Sequence, residues 1–451
     1  MAESLVSAVL DVPLNAGVVY PVDNITTKLV EEHYVEKTGT ALIKIEDPEI
    51  ALQTYYDSLF PFASTEIQEY DEHLIETTDL NVYVSNVRID INKLCEFSDA
   101  TIPFYIYKAR LRTNQPGLRI RTARQTLIAL SKRNCDAPRN ALPTDMSDVI
   151  KTSLERFKEY YCVKNVDQFI EEYKNAPVTF DEQSFRNWAE TQQPSKLKRF
   201  DMTQLEVGLK EIIRYQMMIK TDAKNKLEVG ATYEYQTVQN IIHHNHMTTA
   251  CFGSMFKLLF ERFTKILKPN VMVMLKKNND DFEKHLNDYL CCNERYNSIE
   301  IDFEKFDKSQ LQMCHEMEMA VWEVLGMDAF LLSIWKLGHF DTSATDFIAG
   351  IKSRRSGDAS TCFANTLISM MAIAHSVELQ KMICAYFVGD DSDVVMAADI
   401  CKDNITRNLS DMFNLSAKLI EKNYAYMCSS FIIPTHEAYI VVPYPVKRVE
   451  R

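Results

Sequence analysis

Glycine is scarce in this chain, 11 of 451 residues, against roughly 7% in an average protein. Each glycine is therefore expected to serve a local backbone need. No internal repeat or low-complexity segment is present. The 11 cysteines are odd in number and no two are spaced Cys-x-x-Cys. That argues against a disulfide framework or a zinc ribbon, and a reducing compartment fits better. The N-terminus carries Glu3 and Asp11 instead of a basic segment, so no secretory leader is expected. Nowhere do roughly eighteen apolar residues run together, so no membrane span is expected, and membrane association would come through partners. Walker A, His-Glu-x-x-His and Gly-x-Ser-x-Gly patterns are missing too, which leaves helicase, metalloprotease and hydrolase chemistry without support.

What is present is the composition of a folded soluble protein, 46% apolar and 25% charged. The length suggests two or three cooperating subdomains. The net charge of −13 is unevenly spread. Residues 1–100 hold 19 acids against 5 Lys and Arg, whereas 101–270 hold 27 Lys and Arg against 18 acids. An acidic head before a basic stretch is compatible with a local phosphate-binding surface, and more simply with two solvated faces.

Residues 1–80 read as irregular and acidic. Short strands are expected at Asn81–Ile91 and Ile102–Arg110, then an Arg-rich helix. Amphipathic helices are expected from Val149–Tyr161 to Thr237–Leu267, with breaks around Pro177 and Pro194. Beyond residue 295, Ser298–Phe303 reads as a strand, and Gln310–Leu325 and Ala359–Val377 as helices. Cys384–Ala397 reads as a hairpin, Asn404–Ile420 as a helix, and Tyr424–Ile433 with Glu437–Val442 as a second hairpin. The class is α+β, with helices under a small antiparallel sheet. Trp322 and Trp335 fall on apolar helix faces and are expected in the core.

Three constellations carry chemistry. Asp302-Phe-Glu-Lys-Phe-Asp307 ends an apolar strand. Gly389-Asp390-Asp391 sits between two apolar runs, where it would form a hairpin tip with Gly389 at positive φ. As a tripeptide it is weak evidence, since an ordinary polar turn has the same composition. Jointly the acids say more. Two carboxylates about 4 Å apart repel by roughly 4 kcal/mol at an effective dielectric near 20. Three converging at strand ends demand a shifted pKa or a cation. Mg²⁺ takes oxygen ligands and keeps waters for substrate phosphates, and two such ions clamp an in-line phosphoryl displacement. The third constellation runs from Arg354 and Arg355 through Ser356, a flexible Gly357, Asp358, Ser360 and Thr361 to Asn365. Asp358, Ser360 and Thr361 are good helix-capping types, and Thr361 and Asn365, four apart, share a helix face.

Taken in chain order, Asp302 to Asp307, Ser356 to Asn365 and Gly389-Asp390-Asp391 resemble motifs A, B and C of viral RNA-dependent RNA polymerases. The wording around them is similar to the alphavirus-like superfamily, particularly plant members such as tobamoviruses. Ile219-Lys-Thr-Asp-Ala-Lys-Asn-Lys226 resembles the basic motif F, Ala417-Lys418-Leu419 motif D, and Tyr426-Met-Cys-Ser-Ser-Phe431 motif E. The resemblance is strong over about 200–445 and looser over 50–200.

It implies a right-hand polymerase: 81–295 as helical fingers and 296–442 as an antiparallel-sheet palm with flanking helices and some interleaved fingers segments. Residues 1–80 would be an acidic N-terminal region and 443–451 the start of an incomplete thumb. Asp302, Asp390 and Asp391 would hold two Mg²⁺ or Mn²⁺ ions, with Lys418 as a general acid for pyrophosphate. Asp307 and Asn365, helped by Thr361, would read the ribose 2′-hydroxyl, with Ser356, Gly357 and Arg355 at the nucleotide. Lys220, Lys224 and Lys226 would neutralise the triphosphate. Arg119, Arg121 and Arg124 would track the template, though a solvated helix face reads equally well. Expected partners are template and nascent RNA, ribonucleoside triphosphates and a viral helicase/methyltransferase replication protein. The expected place is the host cytoplasm, in membrane-associated replication complexes. Two departures stand out: Gly350–Arg354 is shorter than in tobamovirus relatives, and Asp393 adds a fourth acid near the tip.

His243-His-Asn-His246 lacks the ligand set of a zinc site and reads as a surface or helix cluster, and Cys291-Cys292 lacks a nucleophile signature. Two alternatives stand beside the polymerase: a DNA-copying relative, disfavoured by Asp307 and Asn365, and a non-catalytic palm scaffold, disfavoured by intact acids.

Overall fold

A computed structural model describes residues 47–59, 88–90, 92–93, 126, 129–130, 134, 145–194, 209–220, 239–294, 296–340, 343–344, 348–397, 404–420 and 425–443. The chain divides into two units. One comprises Met1–Glu76, Ile102–Arg119 and Ala223–Tyr235. Its described part is a helix, α1 (Pro48–Leu59), begun by Asp47, whose carboxylate accepts from the Ile50 amide at 3.2 Å. All that follows concerns the other unit.

A two-residue strand β1 (Arg88–Ile89) precedes helices α2 (Met146–Tyr161), α3 (Val166–Asn175), α4 (Glu182–Ala189) and α5 (Leu209–Ile213). Strands β2 (Tyr215–Lys220) and β3 (Gln239–His244) form an antiparallel pair, and α6 (His246–Ile266) follows. Then come β4 (Val271–Val273), α7 (Asn279–Tyr289), β5 (Asn297–Phe303), α8 (Phe306–Ser309), α9 (Gln312–Val324) and α10 (Ala329–Phe340). Short strands β6 (Ser343–Ala344) and β7 (Ile348–Ile351) lead to α11 (Thr361–Ser376), and β1 joins them on the free side of β7. The last elements are β8 (Met382–Val388), β9 (Asp391–Met396), α12 (Ile405–Phe413), β10 (Ala417–Ile420), β11 (Ala425–Met427), β12 (Ser430–Pro434) and β13 (Tyr439–Pro443).

The central sheet has the order β10-β5-β9-β8-β4, antiparallel except for the β4–β8 pair. Its alternation decides which face is which. Ile299, Ile301 and Phe303 of β5 and Val394 and Met396 of β9 join the main core. Helix α11 lies in that core and is buried from Phe363 to Ala374. Trp322 and Trp335 have no exposed surface and pack against Phe256 at 5.1 and 4.9 Å between ring centres. On the other face, Tyr386 and Val395 join a smaller core with Phe282 and Leu286 of α7 and Ile432 and Val441. Among the described residues no helix is long and apolar enough to cross a membrane.

The α+β class is as expected, and three local expectations are corrected. Thr237–Leu267 is not one helix. Gln239–His244 is a strand with Ile241 and Ile242 at its centre, and the helix begins only after Asn245, whose side chain caps Thr248 N at 2.8 Å. Asn404–Ile420 is not one helix either. It ends at Phe413, Asn414 turns left-handed at φ 58°, and Ala417–Ile420 becomes the edge strand against β5. The second hairpin is a three-stranded sheet, β11-β12-β13. Of the strand expected at Asn81–Ile91 only Arg88–Ile89 is described. Ile102–Arg110 lies outside the described residues.

Candidate active site

Strand β5 buries Ile301 and Phe303, so Asp302 between them points to the opposite face and is exposed. The β8–β9 hairpin closes with Val388 opposite Asp391, leaving Gly389 and Asp390 as its two-residue turn. Gly389 takes φ +60°, yet a Cβ there would meet nothing within 4 Å. Glycine is present for the backbone angle, not for space. Its amide donates to Thr366 Oγ1 at 2.8 Å, which ties the tip to α11.

The register brings the acids together. Ile301 pairs with Ser392, and one step further sets Asp302 opposite Asp391. On the other side of β5, Lys418 pairs with Asp302. Lys418, Asp302 and Asp391 thus form one row across three strands, with Asp390 at the adjoining tip. Directly opposite residues share a face, with Cβ atoms roughly 4.5–5.5 Å apart. The Lys418 ammonium lies 2.6 Å from Glu304. Asp393 is set back from this row. It is buried, accepts from Ser298 Oγ, and burial pushes its carboxyl up to about 6.

Beside the row, Asp307 Oδ1 accepts from Asn365 Nδ2 at 2.8 Å. Asn365 Oδ1 accepts from Gln310 Nε2 at 2.9 Å, and Gln310 Oε1 from Arg354 Nε at 2.9 Å. Arg354 is ion-paired with Glu318, which also accepts from Trp322 Nε1 and Ser360 Oγ.

The segment before α11 differs from its sequence reading. Arg355, expected at the nucleotide, has no exposed surface; it lies over the Tyr215 ring at 5.0 Å and reaches the His339 carbonyl. Gly357 is packed rather than flexible. Its amide donates to the Ile242 carbonyl at 2.9 Å, and a Cβ would come within 2.7 Å of His243 Cβ and Ile241 Cγ2. Ser356 Oγ is 3.4 Å from the Asn240 carbonyl, and Thr361 Oγ1 donates to the Arg355 carbonyl at 2.8 Å. Ser360, at the N-cap of α11, makes no side-chain cap bond.

Asp358 is buried between His244 Nδ1 at 3.2 Å and His339 Nε2 at 2.9 Å. Each ring's other nitrogen faces a carbonyl, of Ile212 and Trp335 respectively. Burial alone would raise the Asp358 carboxyl, but the two rings outweigh it and hold it well below the usual carboxylate range. Burial also opposes ionisation of Glu318, and Arg354 overcomes it, so that carboxyl is lowered too. His315 beside them is pushed down to about 3, chiefly by burial.

Among the described residues one group of three has its ligand atoms within 4.8 Å of one another: His315, Glu318 and His339. Its carboxylate is already taken by Arg354, Trp322 and Ser360, so the guanidinium supplies the charge a cation would. Asp302, Asp390 and Asp391 are not part of this group and are exposed. Their exposed carboxylates are nevertheless the hard oxygen donors that Mg²⁺ or Mn²⁺ takes. Lys220 ends β2, with only its backbone described; Lys224, Lys226, Arg119, Arg121 and Arg124 lie outside the described residues. Sequence reasoning missed the roles of Gln310, Glu318 and His339, and its surface or helix cluster at His243–His246 is corrected: His244 is a fully buried strand residue. The local signal was Glu318, which shares a helix face with Cys314, Val321 and Trp322 in α9.

Comparison with known proteins gives the family. A family model described as RNA dependent RNA polymerase matches residues 77–451. The replicase large subunit of Turnip vein-clearing virus is 30% identical over 412 residues, 89% of this chain and 25% of that protein. Those of Odontoglossum ringspot virus (isolate Korean Cy) and Youcai mosaic virus are 31% and 30% identical, each again over 89% of this chain and 25% of the relative. The chain thus spans about a quarter of the length of the curated relatives it matches. With the family model matching residues 77–451, the chain belongs to the viral RNA-dependent RNA polymerases, alongside the replicases of these plant viruses.

Proposed function

We propose that this chain is the RNA-synthesising part of a viral replicase and extends an RNA 3′ end on an RNA template by a two-metal route. The observation that carries the proposal is the row Lys418–Asp302–Asp391 with Asp390 at the adjoining turn. Asp302 and Asp390 would hold the divalent ions, with Asp391 beside them. Such ions lower the barrier to attack by the 3′-hydroxyl and neutralise the triphosphate. Lys418, directly across from Asp302, would give a proton to departing pyrophosphate.

Asp307 and Asn365 would meet the ribose 2′-hydroxyl. Their hydrogen bond at the edge of the row supports a ribose reader over a DNA-copying relative. Thr361, Ser356 and Gly357 shape the segment that carries Asn365. The burial of Arg355 makes it a support for that segment in this reading. Lys220, Lys224 and Lys226 would receive the triphosphate, and Arg119, Arg121 and Arg124 the template, on the strength of their sequence context alone. The central sheet with α11 beneath it would be a palm, mostly within 296–442 but with β4 (Val271–Val273) contributed from the 81–295 range, whose remainder would be fingers. Template and product RNA, ribonucleoside triphosphates and a helicase/methyltransferase replication protein are the proposed partners. Membrane-associated complexes in the host cytoplasm are the proposed setting.

Primer extension on an RNA template with labelled ribonucleotides and Mg²⁺ tests the reading. Template-dependent product with wild-type chain and none with Asp390→Ala is expected. Product of equal yield from both would overturn it.

A further inference from the structure

Asparagine and glutamine side chains each have a donor end and an acceptor end, and either can be reversed unless the surroundings forbid it. At this site the surroundings forbid it, and the restriction starts well away from the substrate. Arg354 is a donor only. It is buried and held from α9 by its ion pair with Glu318. Glu318 is held in turn by Trp322 Nε1 at 2.9 Å and Ser360 Oγ at 3.0 Å.

Because Arg354 Nε donates at 2.9 Å, the atom of Gln310 facing it must be the oxygen. The Gln310 amide nitrogen then faces Asn365, whose atom at 2.9 Å must be the acceptor Oδ1. That leaves Asn365 Nδ2 facing the Asp307 carboxylate at 2.8 Å. Gln310 has no exposed surface and Asn365 only 8%. Reversal of either amide would set donor against donor or oxygen against oxygen out of reach of bulk water, at a cost of about 1–3 kcal/mol per unsatisfied group.

We propose that Gln310 is a positioning residue for sugar selection: it relays the donor-only character of Arg354 to the Asn365 amide, so that nitrogen, not oxygen, faces Asp307. This rests on the reading of Asp307 and Asn365 as the ribose-recognising pair. An ordered donor–acceptor pair recognises a 2′-hydroxyl in one orientation, whereas an amide free to reverse would recognise it poorly. Gln310 itself need not touch the nucleotide.

The test measures kcat/KM for a ribonucleotide and for its deoxy counterpart in single-nucleotide extension by the full chain. Gln310→Glu keeps the shape and the bond to Arg354 but presents an acceptor to Asn365 Oδ1, which favours amide reversal. Gln310→Met removes both bonds and guards against misfolding caused by the added charge. Asn365→Ala tests the underlying reading by itself, and thermal melts report folding. The ribo-over-deoxy ratio should fall about tenfold in Gln310→Glu, which corresponds to ~1.4 kcal/mol. It should fall less in Gln310→Met, mainly through the ribonucleotide KM. An unchanged ratio in both variants while Asn365→Ala lowers it would overturn the relay and leave the sugar-reading pair standing. An unchanged ratio in Asn365→Ala would remove the pair itself. Equal losses for both sugars, or loss of folding in both Gln310 variants, would make Gln310 a purely structural residue and overturn the proposal as well.

Discussion

Lys418 stands directly opposite Asp302 across the β10–β5 pair, with its ammonium 2.6 Å from Glu304 two residues along the same chain. The contact holds a mobile side chain beside the acids without burying it. General acids contribute typically 10²–10⁴-fold, so Lys418→Met is expected to lower kcat by about 10²-fold with nucleotide KM nearly unchanged. Single-turnover incorporation by the variant checks this. A rate within threefold or so of wild type would remove Lys418 from the chemistry.

Metal dependence follows from the row of acids. Synthesis should require Mg²⁺ or Mn²⁺ and stop with excess chelator. Asp390→Ala should lose at least three orders of magnitude in rate, about 4 kcal/mol, while its melting curve stays close to wild type, because Asp390 is exposed at the turn. Incorporation rates across a Mg²⁺ titration provide the readout.

The two glycines of the site fail differently when substituted. Gly389 needs positive φ but has open space around it, so Gly389→Ala should cost roughly 1–2 kcal/mol and Gly389→Asn less, since Asn enters the left-handed region more readily. Gly357 is pressed against Ile241 and His243. There Gly357→Ala should cost about 1–3 kcal/mol through overpacking and Gly357→Asn more. Urea midpoints for the four variants give the order, and the two sites should rank Ala and Asn oppositely.

His315 makes stability pH-dependent near neutrality. Burial pushes its folded-state value down to about 3, below the ~6.5 of an exposed histidine. The unfolded chain therefore takes up this proton first. The His315 contribution is complete above ~6.5 and is lost as pH falls towards 3, at up to ~1.4 kcal/mol per unit. Asp358 and Glu318, both lowered, lose their contributions only below about pH 4. Between pH 7 and 5 wild type should thus lose up to ~2 kcal/mol more than His315→Gln. Urea denaturation at the two pH values measures the difference, and parallel losses would contradict the assignment.

Much of the site was legible without tertiary information. Asp302 lies at the end of an apolar strand and Gly389 in a turn bounded by apolar runs, so spacing alone predicted an acid at a strand end and a hairpin tip. Thr361 and Asn365 are four apart on one helix, and that too is local. Arg355 was misread for want of context. Its place beside Ser356 and Gly357 in a motif B-like segment suggested the nucleotide, and only the fold shows Tyr215 and the His339 carbonyl enclosing it.

The amino-acid sequence by itself determined the class, the candidate acids and the family, because each rests on residues close in the chain whose chemistry is carried by type and spacing. Only the tertiary structure decided that Ala417–Ile420 is a strand, since an edge strand is stabilised by its partner β5 more than by its own propensity. The same holds for Gln310, which meets Asn365 across 55 positions and Arg354 across 44, and for Asp358, held between His244 and His339. A buried polar group must be satisfied by whatever folding brings to it. No local pattern encodes that partner, so the orientation of the site's amides is a property of the packed core.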